Sequence, residues 1–266
     1  MKQQLGRLET QLLAYAQLRE LPAVATGDLV NPLRITKTQE RELFRRMARG
    51  KLIARVRPGL YLVPPRLPLG GVWSPGEALA LNALIEDRAG RYQICGPNAF
   101  NRYKFDEQVP SRVYVYNNRI SGARKIGAVA MMLIKVSDER LGDVEKVMMP
   151  DGTTAVYSSR VRTLVDAVYD WSRFNTLPRA FKWIRRELAA RRVTATRLVE
   201  CTLAYGNMGT IRRMGLLLEQ AGIAPALLRK LERALGPSTS LIPWIPNRPK
   251  RGVVKRRWGV VLNGES

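Results

Sequence analysis

Arginines spaced for one face of a helix are the residues of this chain best suited to contact a ligand. If residues 37–49 are helical, one sector about 80° wide holds Thr38, Arg41, Arg45 and Arg49. A guanidinium group can donate two hydrogen bonds to O6 and N7 of guanine, the commonest specific contact with a DNA base. We therefore predict that base edges are read by Thr38, Gln39, Arg41 and Arg45.

The helix that must carry this face has its own sequence signals. Thr36 can cap it, and Gln39 completes a capping box three residues later. The opposite face is apolar and holds Leu43, Phe44 and Met47. We predict that Gly50 ends the helix in the left-handed conformation, which glycine adopts without steric cost.

Two β-type runs follow this helix, at residues 52–56 and 60–63, joined by a turn at Arg57-Pro58-Gly59. Two helices are predicted before it, over residues 5–18 and 26–31. Three helices followed by a hairpin, or wing, are typical of a winged helix-turn-helix. That module places a helix in the major groove of DNA.

The region between Arg34 and Arg66 holds ten basic residues and two acids, Glu40 and Glu42. Such an excess on a helix and a hairpin is the electrostatic footprint of a nucleic-acid surface. The partner we predict from these residues is double-stranded DNA. Phosphate contacts are predicted for Lys37, Arg46, Arg49, Lys51, Arg55 and Arg57.

Composition limits the remaining functions. The chain has 266 residues, a formal net charge of +23 and no histidine. Without histidine, no Ser-His-Asp triad, Cys-His pair or histidine-ligated zinc site can form. Cys95 and Cys201 are too few to staple a chain of this size and favour a reduced, cytoplasmic protein. We expect no catalytic residues, no metal, no cofactor and no membrane span.

The fold class predicted from the pattern is α+β. Residues 1–68 are expected to form the winged helix, and residues 72–266 a larger α+β domain of a small sheet followed by a helical bundle. Strands are predicted at 92–95, 113–116, 129–136, 144–149 and 153–157. Helices are predicted at 160–171, 178–191, 195–205, 210–220 and 225–235.

Two further basic clusters lie in this second region. A possible second phosphate-contacting strip near the C-terminus comprises Arg248, Lys250, Arg251, Lys255, Arg256 and Arg257. Trp244 and Trp258 indicate that this segment is docked on the protein. The other cluster surrounds the helix at 178–191, where Arg179, Lys182 and Arg186 share a face. A solvated surface explains both clusters as readily as a ligand does.

The chain resembles the AbiEi-type antitoxins, the regulatory proteins of bacterial type IV toxin–antitoxin (abortive infection) operons. The likeness lies in residues 57–64, RPGLYLVP, and in ICGPNAF at 94–100, QVP at 108–110, TLVDA at 163–167 and RRMGLLLE at 212–219. The resemblance implies an autorepressor that binds the double-stranded operator DNA of its own operon. It also implies neutralisation of a nucleotidyltransferase-like toxin without a stable complex.

Two alternatives stay open from the residues alone. One is a nucleic-acid-processing enzyme with a winged-helix targeting domain and a carboxylate-bound magnesium ion. Asp166 and Asp170 share a helix face, yet a lone pair of acids among arginines is more typical of ion pairing. The other alternative is an RNA-binding adaptor, which the charge allows equally well.

Overall fold

Helices and strands mix in an α+β fold in the computed structural model, which describes residues 5–66, 72–236 and 240–264. The helices are α1 Arg7–Leu18, α2 Lys37–Arg49, α3 Glu77–Glu86, α4 Gly96–Arg102, α5 Arg160–Tyr169, α6 Trp171–Phe174, α7 Arg179–Ala189, α8 Ala195–Tyr205, α9 Met208–Gln220 and α10 Pro225–Leu235. The strands are β1 Ala23–Ala25, β2 Ala54–Arg57, β3 Leu60–Leu62, β4 Tyr92–Ile94, β5 Val113–Asn117, β6 Gly122–Ile126, β7 Val129–Lys135, β8 Val144–Met148, β9 Thr154–Ser158, β10 Ile242–Pro243, β11 Val253–Lys255 and β12 Val260–Leu262.

The chain divides into two compact units. The first comprises residues 1–92, 111–137 and 146–156, and the second comprises residues 93–110, 138–145 and 157–266. The predicted domain boundary, at residues 69–71, lies outside the described residues. The first unit therefore holds the predicted N-terminal domain together with segments from further along the chain.

The N-terminal part of the first unit combines α1, α2 and a three-stranded sheet in the order β1-β3-β2. β3 pairs antiparallel with both neighbours, with Leu60–Leu62 opposite Ala23–Ala25 on one side. Leu12, Phe44 and Met47 are fully buried in the core below. The helix predicted at residues 26–31 is wrong, since residues 26–34 form consecutive turns.

The end of α2 also differs from its prediction. Gly50 has φ −74° and ψ 0°, which is not left-handed, and the next residue takes that conformation instead, with φ +57° at Lys51. The turn is closed by backbone hydrogen bonds from Gly50 to Arg46 and from Leu52 to Met47. The helix therefore ends where the sequence indicates, but the residue in the left-handed conformation is Lys51 and not Gly50.

A six-stranded sheet has the order β6-β7-β5-β4-β9-β8. β5 and β7 run parallel in register from Val113↔Met131 to Asn117↔Lys135, and β6 pairs antiparallel with β7. The predicted strands do not include β6, which begins at Gly122. Four of the five residues of β6 are exposed, so the strand lacks the apolar alternation that marks most strands.

The second unit is mainly helical and ends in a small sheet of order β10-β12-β11. Trp244 and Trp258 are buried, which confirms that the C-terminal segment is docked. Arg213 donates hydrogen bonds to the carbonyls of Pro243 and Trp244, and Arg212 to that of Ser240. In the described parts of the chain, no helix is both long and apolar enough to cross a membrane.

Candidate nucleic-acid interface

Helix α2 presents a cationic face because its other face is fixed in the core. The Thr36 hydroxyl accepts a hydrogen bond from the N–H of Gln39 at 3.2 Å, and the N–H of Thr36 donates to Gln39 Oε1 at 2.8 Å. The predicted capping box is therefore formed. Leu43, Phe44 and Met47 are each at most 1% exposed. Apart from Glu40, which is buried, and Ala48, which is half-buried, the other positions of the helix are exposed.

The predicted base-reading residues lie on this exposed face but are not equivalent. Thr38 and Arg41 are exposed and, among the described residues, have no side-chain partner. Gln39 is exposed, but its side-chain oxygen is engaged in the capping box. Arg45 forms an ion pair of 2.8 Å with Glu42, and both side chains are more than half exposed. An exposed pair of this kind contributes little stability, so Arg45 can exchange Glu42 for another anion at small cost.

Glu40 organises the turn in front of α2. Its carboxylate is fully buried and accepts hydrogen bonds from the N–H of Gly27 at 2.8 Å and of Leu29 at 2.9 Å. A helix at residues 26–31 would leave the N–H groups of its first turn without partners. In the observed turn, the Glu40 carboxylate accepts hydrogen bonds from two of these groups. Of the two acids in the basic region, Glu40 is thus structural and Glu42 alone lies on the exposed face.

Four of the six predicted phosphate-contacting residues are exposed and, within the part of the chain that the structure describes, form no ion pair. They are Lys37, Arg49, Lys51 and Arg55. Arg46 is also exposed, but its Nε donates to Glu9 Oε1 at 2.6 Å. Burial disfavours the Glu9 carboxylate, yet hydrogen bonds from the Gly6 N–H and from Arg46 outweigh it and lower the pKa of Glu9. Arg46 therefore ties α2 to α1.

Arg57 is the sixth predicted phosphate contact, and it has a strong internal partner. Its Nε and Nη2 donate to both carboxylate oxygens of Asp87 at 2.6–2.9 Å, while its Nη1 donates to the carbonyl of Pro58 at 2.9 Å. The hydrogen bonds from Arg57 lower the pKa of the Asp87 carboxyl. Because this guanidinium is already neutralised, we leave Arg57 out of the surface proposed below.

Two cations that the sequence analysis missed extend the positive surface of the first unit. Arg124 and Lys125 are exposed on β6, and β6 contacts β2 of the hairpin. Neither side chain forms an ion pair in the described ranges. Their positive charge is visible in the sequence. Only the pairing of β6 with β7 shows that the two residues lie on a strand. The name "α2 surface" is used below for Thr38, Arg41, Arg45, Arg49, Lys51, Arg55, Arg124 and Lys125.

The C-terminal strip belongs to the second unit and divides into two groups. Arg257 pairs with Glu219 at 2.6 Å and with Glu232 at 3.0 Å, and Lys250 donates to the carbonyl of Leu241. The other four are exposed and unpaired among the described residues: Arg248, Arg251, Lys255 and Arg256. Two of the six residues, Arg257 and Lys250, are therefore engaged in contacts within the protein.

The carboxylates that could suggest a metal site are already neutralised. Asp166 is 1% exposed and accepts hydrogen bonds from Arg162 and Arg140, each at 2.9 Å. Asp170 pairs with Arg173 at 3.3 Å. Across residues 5–66, 72–236 and 240–264, no group of three or more cysteines and acids is placed to hold a metal ion. Asp166 is the ion-pair partner that its spacing indicates.

Comparison with known proteins adds information on the fold. No family model and no curated protein sequence matches the chain. A solved structure with a similar fold is the crystal structure of the RV2827C protein from Mycobacterium tuberculosis, with a TM-score of 0.60. The two chains are 14% identical, and the match covers 97% of this chain and 92% of the other. At this identity the likeness supports the α+β fold over nearly the whole chain and carries no function with it.

Proposed function

We propose that the protein binds double-stranded DNA through the α2 surface, with α2 in the major groove. The observation that carries the proposal is the division of α2 into a fully buried apolar face and an exposed cationic face whose single acid is Glu42. Arg41 and Arg45 supply paired donors for guanine O6 and N7. The helix is held by its capping box and by Glu40, so these donors are presented on a rigid element.

The hairpin and β6 would supply sequence-independent contacts. Arg49, Lys51 and Arg55 are exposed at the end of α2 and in the hairpin, and Arg124 and Lys125 lie on the strand that contacts it. Cations spread over neighbouring elements suit a backbone that carries a phosphate at every nucleotide. This arrangement of α1, turn, α2 and hairpin supports a winged helix-turn-helix, with a turn in place of its second helix.

The biological role we propose is autorepression of a toxin–antitoxin operon in the cytoplasm, together with neutralisation of its nucleotidyltransferase-like toxin. This step rests on the resemblance of the sequence to the AbiEi-type antitoxins. DNA binding rests on the α2 surface alone and can be tested independently of the toxin. The protein would act as a binding protein and not as an enzyme.

Fluorescence anisotropy with upstream operon DNA, random duplex and a structured RNA tests the binding step. The variant to compare is Arg41→Ala/Arg45→Ala, and a matched control is Arg7→Ala/Arg19→Ala, which removes two exposed cations from α1 and its end. We expect the α2 variant to lose about 1–3 kcal/mol of operator affinity per lost base contact. The control should leave the ratio of operator to random affinity unchanged. Equal losses on operator and random DNA would place another element in the groove.

The role in the operon needs two cellular readouts on the same variants. A reporter under the operon's own promoter measures repression, and growth with the toxin expressed measures rescue. We expect Arg41→Ala/Arg45→Ala to lose repression and to keep rescue. Unchanged repression by a folded variant would contradict the assignment of α2, and tighter binding of RNA than of any duplex would contradict DNA as the partner.

A further inference from the structure

A groove in the second unit brings together two basic clusters that are far apart in the sequence. It has a volume of about 510 Å³ and lies between α7 and the C-terminal segment. We call it the α7 groove and define it by Phe181, Lys182, Arg185, Trp244, Arg248 and Gly264. Its size falls within the range of pockets that bind small molecules, roughly 300–1,000 Å³.

The cations of the α7 groove lack the acidic partners that their neighbours have. Lys182, Arg185 and Arg248 form no ion pair within the described residues, and no acid lines the groove. Arg185 donates instead to the neutral side chain of Gln220 at 3.1 Å. By contrast, Arg179 on the same helix pairs with Asp106 at 2.9 Å. Three uncompensated positive charges around one concavity favour an anion with several negative charges.

The backbone around Arg248 is fixed by hydrogen bonds to the side chain of Asn263. The side chain of Asn263 accepts a hydrogen bond from the N–H of Ile245 and donates to the carbonyls of Ile245, Arg248 and Pro249, at 2.8–3.3 Å. A Cβ atom at Gly264 would lie 2.8 Å from Nη1 of Arg248 and 2.6 Å from Cδ1 of Ile245. The absence of a side chain at Gly264 therefore lets the guanidinium lie where it does.

The apolar side chains of the groove are largely buried, with Phe181 2% and Trp244 1% exposed. The rings of Phe181 and Trp244 stack with their centroids 3.8 Å apart, and Pro178 and Ile245 complete the lining. The two rings therefore leave little surface for a ligand, and binding must rest on the cations. The cations also converge on one concavity from two segments, whereas a duplex backbone needs them spread along a path.

We propose that the α7 groove is a binding site for a polyphosphate anion, either free or carried by a nucleotide. The phosphate oxygens would accept hydrogen bonds from Lys182, Arg185 and Arg248. The site belongs to the second unit and is independent of the α2 surface, so it does not rest on the proposed DNA binding.

Isothermal titration calorimetry of the full chain with ATP, adenosine and inorganic triphosphate tests this site. We expect ATP and inorganic triphosphate to bind with a Kd below about 1 mM, because they share the polyphosphate, and adenosine to bind more weakly than either. Lys182→Ala/Arg248→Ala should weaken ATP binding by about tenfold or more, since each lost charge-assisted hydrogen bond accounts for roughly that factor. The matched control is Arg229→Ala/Lys230→Ala, which removes two exposed cations from α10 and should leave the Kd unchanged.

Gly264→Ala tests the geometry without altering the net charge. The added methyl group must displace Arg248, so we expect ATP binding to weaken while the circular dichroism spectrum and Tm stay the same. Saturable ATP binding that is equal in the wild type and both groove variants would overturn the site. So would absence of binding by both ATP and triphosphate, or adenosine binding as tight as that of ATP. Loss of duplex affinity in Lys182→Ala/Arg248→Ala without ATP binding would make the groove a DNA contact instead.

Discussion

Arg57 and Asp87 form a bidentate ion pair in which both carboxylate oxygens accept hydrogen bonds from one guanidinium group, at 2.6–2.9 Å. The pair joins the turn of the hairpin to the end of α3. It also removes one cation from the surface that the composition of the region suggests. The positive charge available for DNA is therefore smaller than the count of basic residues.

Asp87→Asn would return that charge. We expect the variant to bind random duplex DNA more tightly, and the slope of log K against log salt to become more negative by about 0.9. Anisotropy titrations from low to physiological salt measure both quantities. Glu20→Gln removes the same charge from an exposed site and is the control. An equal change of slope in the two variants would mean that net charge, and not Arg57, is responsible.

The two acids of α2, Glu40 and Glu42, are expected to contribute very differently to stability. Glu40→Ala leaves the N–H groups of Gly27 and Leu29 without their acceptor, and we expect a loss of about 3 kcal/mol or more, since hydrogen bonds to a charged group contribute about 1.5–3 kcal/mol each. Glu42→Ala removes an exposed ion pair and should change stability by about 0.5 kcal/mol or less. Urea unfolding measures both. Similar losses would contradict the structural role of Glu40.

Lys51 is expected to trade stability against binding. Its left-handed backbone costs a non-glycine residue about 1–2 kcal/mol, so Lys51→Gly should stabilise the protein by roughly 0.5–1 kcal/mol after the added entropy of the unfolded chain. The same variant loses an exposed cation and should bind duplex DNA more weakly. Thermal unfolding and anisotropy on one sample provide both numbers. A variant that is less stable, or that binds DNA unchanged, would contradict this account.

Glu187 is expected to contribute to acid sensitivity. Its carboxylate is 1% exposed, and although burial opposes ionisation, hydrogen bonds from Arg192 and Arg160 outweigh it and lower the pKa of Glu187. A lowered folded-state pKa stabilises the protein above the ordinary value of 4.5, and this contribution is lost as the pH falls through the folded value. Glu187→Gln should therefore have a lower Tm at pH 7 and approach the wild type in acid. A difference in Tm that stays constant with pH would exclude this linkage.

Local patterns in the sequence predict the elements that are stabilised locally. The bounds of α8 and α10 agree with their apolar spacing, and the capping box of α2 is a contact between residues three apart. The turn at 26–34 was not predictable in this way, because Glu40 stabilises it from 13 residues away. Strand β6 failed for a related reason, since its partner β7 supplies the pairing that its own polar residues do not indicate.

The candidate site was predictable to a similar degree. The exposed face of α2 follows from helical periodicity once the apolar face is known. That Arg57 is neutralised depends on a carboxylate 30 residues later, and no local pattern indicates such a pair. The meeting of Lys182 with Arg248 likewise depends on how Trp244 docks on Phe181. Long-range packing decides which cations remain available.

The chain crosses between the two units several times, which limits how its sequence can be divided. The chain passes from one unit to the other after residues 92, 110, 137, 145 and 156. No single cut in the sequence yields one complete unit without part of the other. Recombination could exchange α1, α2 and the hairpin as one continuous stretch, whereas the rest of the first unit is interleaved in the sequence with the second.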